Sequence, residues 1–72
     1  MFSVFKYNGD MYERVFDDNE LIHAELRAAN CSVCDNKDVV FSIYDTTDAP
    51  HFICYYKDGK RFDESSDSSI QE

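Results

Sequence analysis

The chain has 72 residues, fifteen Asp and Glu against seven Lys and Arg, a formal charge of -8, and a 43% apolar content that includes six Phe and five Tyr. That charge repels nucleic acid and anionic membrane and favours basic protein surfaces, while the apolar and aromatic load excludes an acidic disordered tail and points to a folded module. A chain this short allows one domain with one small core, burying roughly 60% of its surface, with no room beside it for an enzyme-sized pocket.

No stretch approaches the roughly 20 apolar residues of a membrane span. Residues 1–6 (MFSVFK) have neither the cationic start nor the apolar core of a signal peptide. Three cysteines, an odd number, fit poorly with a secreted disulfide scaffold. The expected location is cytoplasmic, with reduced thiols and no membrane contact.

Residues 2–7 (FSVFKY) and 11–16 (MYERVF) are rich in aromatic and β-branched types and flank Asn8-Gly9, which supplies the positive φ angles of a type I′ hairpin turn. A two-residue loop sets Tyr7 opposite Asp10, Phe5 opposite Tyr12 and Phe2 opposite Val15. One face of this hairpin then carries Phe2, Val4, Met11 and Val15, and the other Phe5, Tyr7, Tyr12 and Phe16. A helix is expected next, over 18–29. Asp17 is its N-cap, Glu20 completes a capping box, Phe16 and Leu21 form a hydrophobic staple, and Asn30 terminates it. Its apolar stripe is Leu21, Ile22, Leu26 and Ala29, with His23 on a solvated flank.

After a polar loop, 39–45 (VVFSIYD) and 51–57 (HFICYYK) read as strands, and Asp58-Gly59 as a second I′ turn leading into a short edge strand at 60–62. Residues 64–72 (ESSDSSIQE) are Ser- and acid-rich and are expected to be a disordered tail. The fold class is therefore α+β: a single domain over 1–63 of order ββαβββ, with one helix packed on one face of a mainly antiparallel sheet. One helix cannot cover five strands on both sides, so the second face is open or covered by a partner.

Cys31-Ser32-Val33-Cys34 has metal-knuckle spacing, and His51 and Cys54 offer a second pair, so that Cys31, Cys34, His51 and Cys54 define a Cys₃His zinc site and a zinc-stabilised adaptor as the alternative reading. Two details oppose it. Neither pair is followed by a knuckle glycine, and residues three apart on a strand point to opposite faces. A redox role for the CxxC is disfavoured because the pair follows a helix and sits beside Asp35 and Asp38. His23 and His51 are the only general-base candidates, and neither has a nucleophile at motif spacing. The leading expectation is thus a non-enzyme with no cofactor and no metal.

Phe5, Tyr7, Tyr12, Tyr44 and either Tyr55 or Tyr56 are candidates for the helix-free side. Rings on an open sheet are what single-strand RNA binders use, but such proteins need cationic grooves, and the overall charge decides against direct nucleic-acid binding. A Tyr-rich face instead reads as a protein interface, with a second copy of the chain as one occupant. The carboxylates of Asp10, Glu13, Asp17, Asp18, Glu20, Asp35, Asp38, Asp45 and Asp48 are the other candidate surface. Spaced acids on a rigid scaffold can occupy a cationic channel that normally holds phosphates.

At Tyr55-Tyr56-Lys57-Asp58-Gly59-Lys60-Arg61-Phe62 the chain resembles the closing hairpin of small phage-encoded type I-F anti-CRISPR inhibitors. The resemblance covers about a tenth of the chain; this sequence has an additional N-terminal hairpin and is more acidic. It implies a phage or mobile-element inhibitor acting in the host cytoplasm on a nucleic-acid-binding complex, with Lys57, Lys60 and Arg61 as contact candidates. The expected function is a small acidic inhibitor of a basic nucleic-acid-handling host protein (a CRISPR effector, restriction or repair enzyme) that blocks its nucleic-acid site. The acids above would make contact, with Tyr7, Tyr12 and Tyr44 as anchors.

Overall fold

The computed structural model describes residues 1–63, which form β1 (Phe2–Tyr7), β2 (Tyr12–Asp18), α1 (Leu21–Cys34), β3 (Val40–Asp45), β4 (His51–Lys57) and β5 (Lys60–Phe62). The five strands make one antiparallel sheet in the order β2-β1-β3-β4-β5. The helix lies across one side of it. This is the α+β, ββαβββ architecture expected from the sequence; the 64–72 tail lies outside the described residues.

The first hairpin differs from expectation. Tyr7 pairs with Tyr12, leaving a four-residue connection, 8–11, in place of a two-residue turn. Only Gly9 takes a positive φ there, +102°. Asn8 serves through its side chain, whose Oδ1 accepts from the backbone N–H groups of Asp10 and Met11 at 3.0 and 3.3 Å. Such an Asx turn is a competing use of the same residue that Asn-Gly patterning does not resolve. The second turn is as expected: Asp58 and Gly59 have φ of 54° and 77°, and Lys57 pairs with Lys60 across them.

Register then shifts in β2. Val4 pairs with Phe16 and Phe5 with Arg14, so Val15 is an extra, bulged residue. The bulge rotates Phe16 onto the helix side, where it packs against the core under the Arg27 guanidinium, 4.7 Å from its ring centroid. The expected grouping of Phe16 with Phe5, Tyr7 and Tyr12 is thereby corrected. Met11 leaves the strand altogether and is exposed in the loop.

The helix also starts and ends later than 18–29. Asp17 and Asp18 remain in β2, so the Asp17 capping box does not form. Glu20 occupies the N-cap without a side-chain cap. Asp18 instead accepts the Glu20 N–H at 2.9 Å and holds the tight passage from strand to helix. Asn30 does not stop α1, which continues through the CxxC segment to Cys34.

The helix face turned to the sheet is made of small residues. Ala24, Ala28 and Ser32, spaced i, i+4, i+8, are buried, with Leu21, Ala29 and Cys31 partly so. Small side chains let the helix axis approach the sheet, so Val4, Phe41, Ile43, Cys54 and Tyr56 fill the layer between them. Ile22 and Leu26, expected in the buried stripe, point outward at 63% and 57% exposure. The interior is closed by polar clasps. Tyr56 donates its hydroxyl hydrogen to Glu25 at 2.7 Å, Arg61 Nε donates to the same carboxylate at 3.0 Å, and the Gly59 N–H donates to Ser32 Oγ at 2.8 Å.

Candidate functional site

The sheet face without a helix carries a row of rings crossing all five strands. Tyr12 of β2 stacks on Tyr7 of β1 with centroids 4.5 Å apart. Phe5 of β1 meets Tyr44 of β3 edge to face at 5.7 Å, and Tyr44 meets Phe52 of β4 at 5.6 Å. Phe52 neighbours Tyr55, which stacks on Phe62 of β5 at 4.9 Å. Two serines lie under this row, Ser3 and Ser42, and both are buried although no helix covers them. Being register neighbours of Tyr44, Phe5 and Tyr55, they leave the space over which those rings lean.

A second bulge brings the row together on β4. Ile43 pairs with Cys54 and Tyr44 with Phe52, so Ile53 is the extra residue. That shift sets Phe52 and Tyr55, three apart in sequence, on one face. It also overturns the expectation that His51 and Cys54 face opposite ways. They nevertheless stay apart in environment, with Cys54 at the centre of the core and His51 exposed at the start of β4. Cys31 and Cys34 occupy the last helical turn, not a loop. Among the described residues, no group of three or more His, Cys, Asp or Glu comes together to hold a metal ion.

Of the expected anchors, Tyr7, Tyr12 and Tyr44 all fall in the aromatic row. The choice between Tyr55 and Tyr56 is settled: Tyr55 joins the row, and Tyr56 turns inward to Glu25. Phe52 and Phe62 were not expected there. Phe62 could have been found from the I′ turn, which pairs it with Tyr55; Phe52 could not, because strand alternation places it opposite.

The nine nominated acids do not form one patch. Asp17, Asp18, Glu20, Asp45 and Asp48 lie at the end of the sheet where β2 and β3 finish and β4 begins. Asp10, Glu13, Asp35 and Asp38 lie toward the other end, together with all four lysines of the chain, Lys6, Lys37, Lys57 and Lys60. One end of the strands is thus rich in acids, relieved by Arg14 and the N-terminal ammonium, and the other, which holds the lysines, is mixed.

Four of the acids have partners within the chain. Asp17 accepts from Ser3 Oγ at 2.6 Å and lies 3.7 Å from Arg14. Asp18 lies 3.2 Å from His23 Nδ1, Asp35 lies 3.1 Å from Lys6 Nζ, and Asp45 lies 3.9 Å from the N-terminal ammonium. Local hydrogen bonds hold three carboxyls below the usual range, from the Glu20 N–H for Asp18, the Asn36 N–H for Asp35, and the Thr47 hydroxyl and N–H for Asp45. Lys6 beside Asp35 and the N-terminal ammonium beside Asp45 act in the same direction. Among the described residues, Asp10, Glu13, Glu20, Asp38 and Asp48 form no ion pair.

The acidic end and the aromatic row meet. Phe5, Tyr12 and Tyr44, with Thr46 and Pro50 of the β3–β4 loop, line a shallow, mainly apolar hollow of about 390 Å³. The loop that walls it continues into Asp48 and is anchored to the chain start, since the Thr46 N–H donates to the Met1 carbonyl at 2.8 Å. A hollow of about 390 Å³ on the helix side, lined by Phe16, His23, Arg27 and the two helix cysteines among others, has no comparable ring cluster.

Both sheet edges are unsuited to receiving a further strand. Edge strand β2 is interrupted by its bulge and bears Glu13, Arg14, Asp17 and Asp18, and β5 is three residues long with Lys60 and Arg61. Bulges, charge and shortness are the usual protections of a sheet edge. Among the described residues, no helix is long and apolar enough to cross a membrane. No protein-family model, curated protein or solved structure matches the chain.

Proposed function

We propose that this chain is a non-enzymatic inhibitory binding protein, encoded by a phage or mobile element, that docks on a basic nucleic-acid-handling protein and blocks its nucleic-acid site. The observation that carries the reading is the junction of the aromatic row with the acidic end. Large amphipathic rings supply contact area at small entropic cost, and Tyr is among the residues enriched in protein interfaces. The carboxylates of Glu20 and Asp48, which form no ion pair among the described residues, beside Asp17, Asp18 and Asp45, give the steering and the complementarity toward cationic surface. The acids at the mixed end have a lesser part in this reading, because lysines surround them.

Binding measured by calorimetry against basic proteins captured from a bacterial lysate tests it. A nucleic-acid-binding target should be displaced by its own nucleic acid, and affinity should fall as the Debye length shrinks from about 10 Å at 0.1 M salt to 3 Å at 1 M. The double change Glu20→Gln with Asp48→Asn should weaken binding and flatten that salt dependence while leaving the fold intact, since neither carboxylate has a partner among the described residues. Affinity unchanged by salt and by the double change would remove the electrostatic part.

A further inference from the structure

The hollow at the acidic end has a chemistry more specific than a general docking face. Its walls are three rings, Phe5, Tyr12 and Tyr44, closed on one side by Thr46 and Pro50. Phe5 and Tyr44 stand edge to face with planes at 90°, so their π faces look in different directions around a shared corner. Arg14, opposite Phe5 in register and so on the same sheet face, lies 3.7 Å from the Asp17 carboxylate, and the two charges offset each other. The loop walling the hollow carries Asp48, which lines a separate hollow together with Asp45 of β3, and the whole chain carries -8.

An apolar hollow with π faces, walled by a loop that bears Asp48 on a strongly acidic chain, suits one class of side chain, a flexible apolar stem ending in a cation. Ring quadrupoles attract such a group within about 6 Å of a centroid. The same molecule already makes this contact on its other side, where Arg27 sits 4.7 Å over the Phe16 ring. Resting on the reading proposed above, we infer that the hollow formed by Phe5, Tyr12, Tyr44, Thr46 and Pro50 is a receptor for a cationic side chain, Arg or Lys, of the bound protein. The stem lies against Pro50 and Phe5, and the charged head is held by the ring faces beside the loop that carries Asp48. An arginine that normally grips a phosphate would be occupied in this way.

The test is an NMR titration of the full chain with N-acetyl-arginine methylamide and, separately, with the neutral citrulline analogue of the same shape. The ring and amide signals of Phe5, Tyr12, Tyr44 and Thr46 are followed. Saturable shifts at those residues, with arginine bound about two- to fivefold more tightly than citrulline, are expected. Tyr12→Leu keeps every charge, and Tyr12 is 61% exposed, so it should remove the preference without unfolding the sheet; Tyr12→Phe should restore it. Equal binding of the two probes, an arginine preference that survives Tyr12→Leu, or shifts produced instead by oligothymidylate would each overturn the inference. The outcomes also separate the two proposals. Arginine seating with no basic protein bound keeps the receptor and removes the inhibitor reading. A basic partner bound through this face without any arginine preference does the reverse.

Discussion

The two faces of the sheet use opposite means of being covered. On the helix side, Ala24, Ala28 and Ser32 bring α1 close, and the space between is filled by buried aliphatic side chains and one inward tyrosine. On the other side the described residues form no second layer, and rings lean over Ser3 and Ser42 and shield one another only in part. The first face holds the domain together. The second leaves large amphipathic side chains half covered, an arrangement that costs solubility unless something is to be bound.

Two consecutive residues separate the two faces most directly. Ile43 and Tyr44 are neighbours on β3 but face opposite sides, and Ile43 is fully buried. Ile43→Ala should cost about 2–5 kcal/mol, a large part of the stability of a domain this small. Tyr44→Ala removes two edge-to-face contacts and should cost about 1–3 kcal/mol while abolishing partner binding. Urea melts of both variants measure the difference; equal losses would mean that the open face is core.

The two glycines give a second, smaller contrast. Both have positive φ, but a Cβ on Gly59 would lie 2.6 Å from Val33 Cγ2, whereas one on Gly9 would meet nothing within 4 Å. Gly9→Ala should cost only the backbone strain, about 1 kcal/mol. Gly59→Ala should cost about 1–3 kcal/mol, because the β4–β5 turn is pressed against the helix end and its N–H is bound by Ser32. Thermal melting checks the order.

How far this arrangement was legible in the sequence depends on the element. The strands, their succession along the chain and the Asp58-Gly59 turn followed from alternation and turn chemistry; their order in the sheet did not. The aromatic row was half visible, through Phe5, Tyr7, Tyr12 and Tyr44. What failed were features set by one extra residue. The bulges at Val15 and Ile53 invert the alternation beyond them, and they decide where Phe16 and Phe52 point. The helix failed for another reason. Its larger aliphatic residues suggested the buried stripe, but a short helix lying close on a sheet buries its alanines. The distribution of the acids between two ends is a property of topology, and spacing along the chain carries no trace of it.

Tyr56 makes the helix side respond to pH, because it is the one tyrosine that faces it. Burial, and then the Glu25 carboxylate to which it donates, push its hydroxyl from 10.0 up to about 12. A folded value above the unfolded one means that its contribution is whole below pH 10 and is lost as pH rises toward 12. Burial raises the Cys54 thiol from 9.0 in the same sense. The alkaline limb of stability should therefore fall steeply in the native chain. In Tyr56→Phe, stability at neutral pH should drop by about 1 kcal/mol, and the limb above pH 10 should flatten, as read by circular dichroism across pH 7–12. A limb of unchanged slope would show that Glu25 holds the helix through Arg61 alone.

The smallest expected effect tests which exposed apolar surface is used. Ile22, Leu26 and Val33 form an outward stripe on the helix, at 63%, 57% and 65% exposure. At spacings of four and seven they share one side of α1, as an interface helix would. Yet this stripe has only three large aliphatic side chains and no aromatic ring to give both contact area and hydrogen bonding. Replacing Ile22 and Leu26 together by Gln removes exposed methyl groups and creates no cavity, so stability should change by no more than about 0.5 kcal/mol. Partner affinity should stay where it was, in contrast to its loss on Tyr44→Ala. If the double change instead weakens binding and Tyr44→Ala does not, the roles of the two surfaces are exchanged, and the aromatic row belongs to the core of the domain.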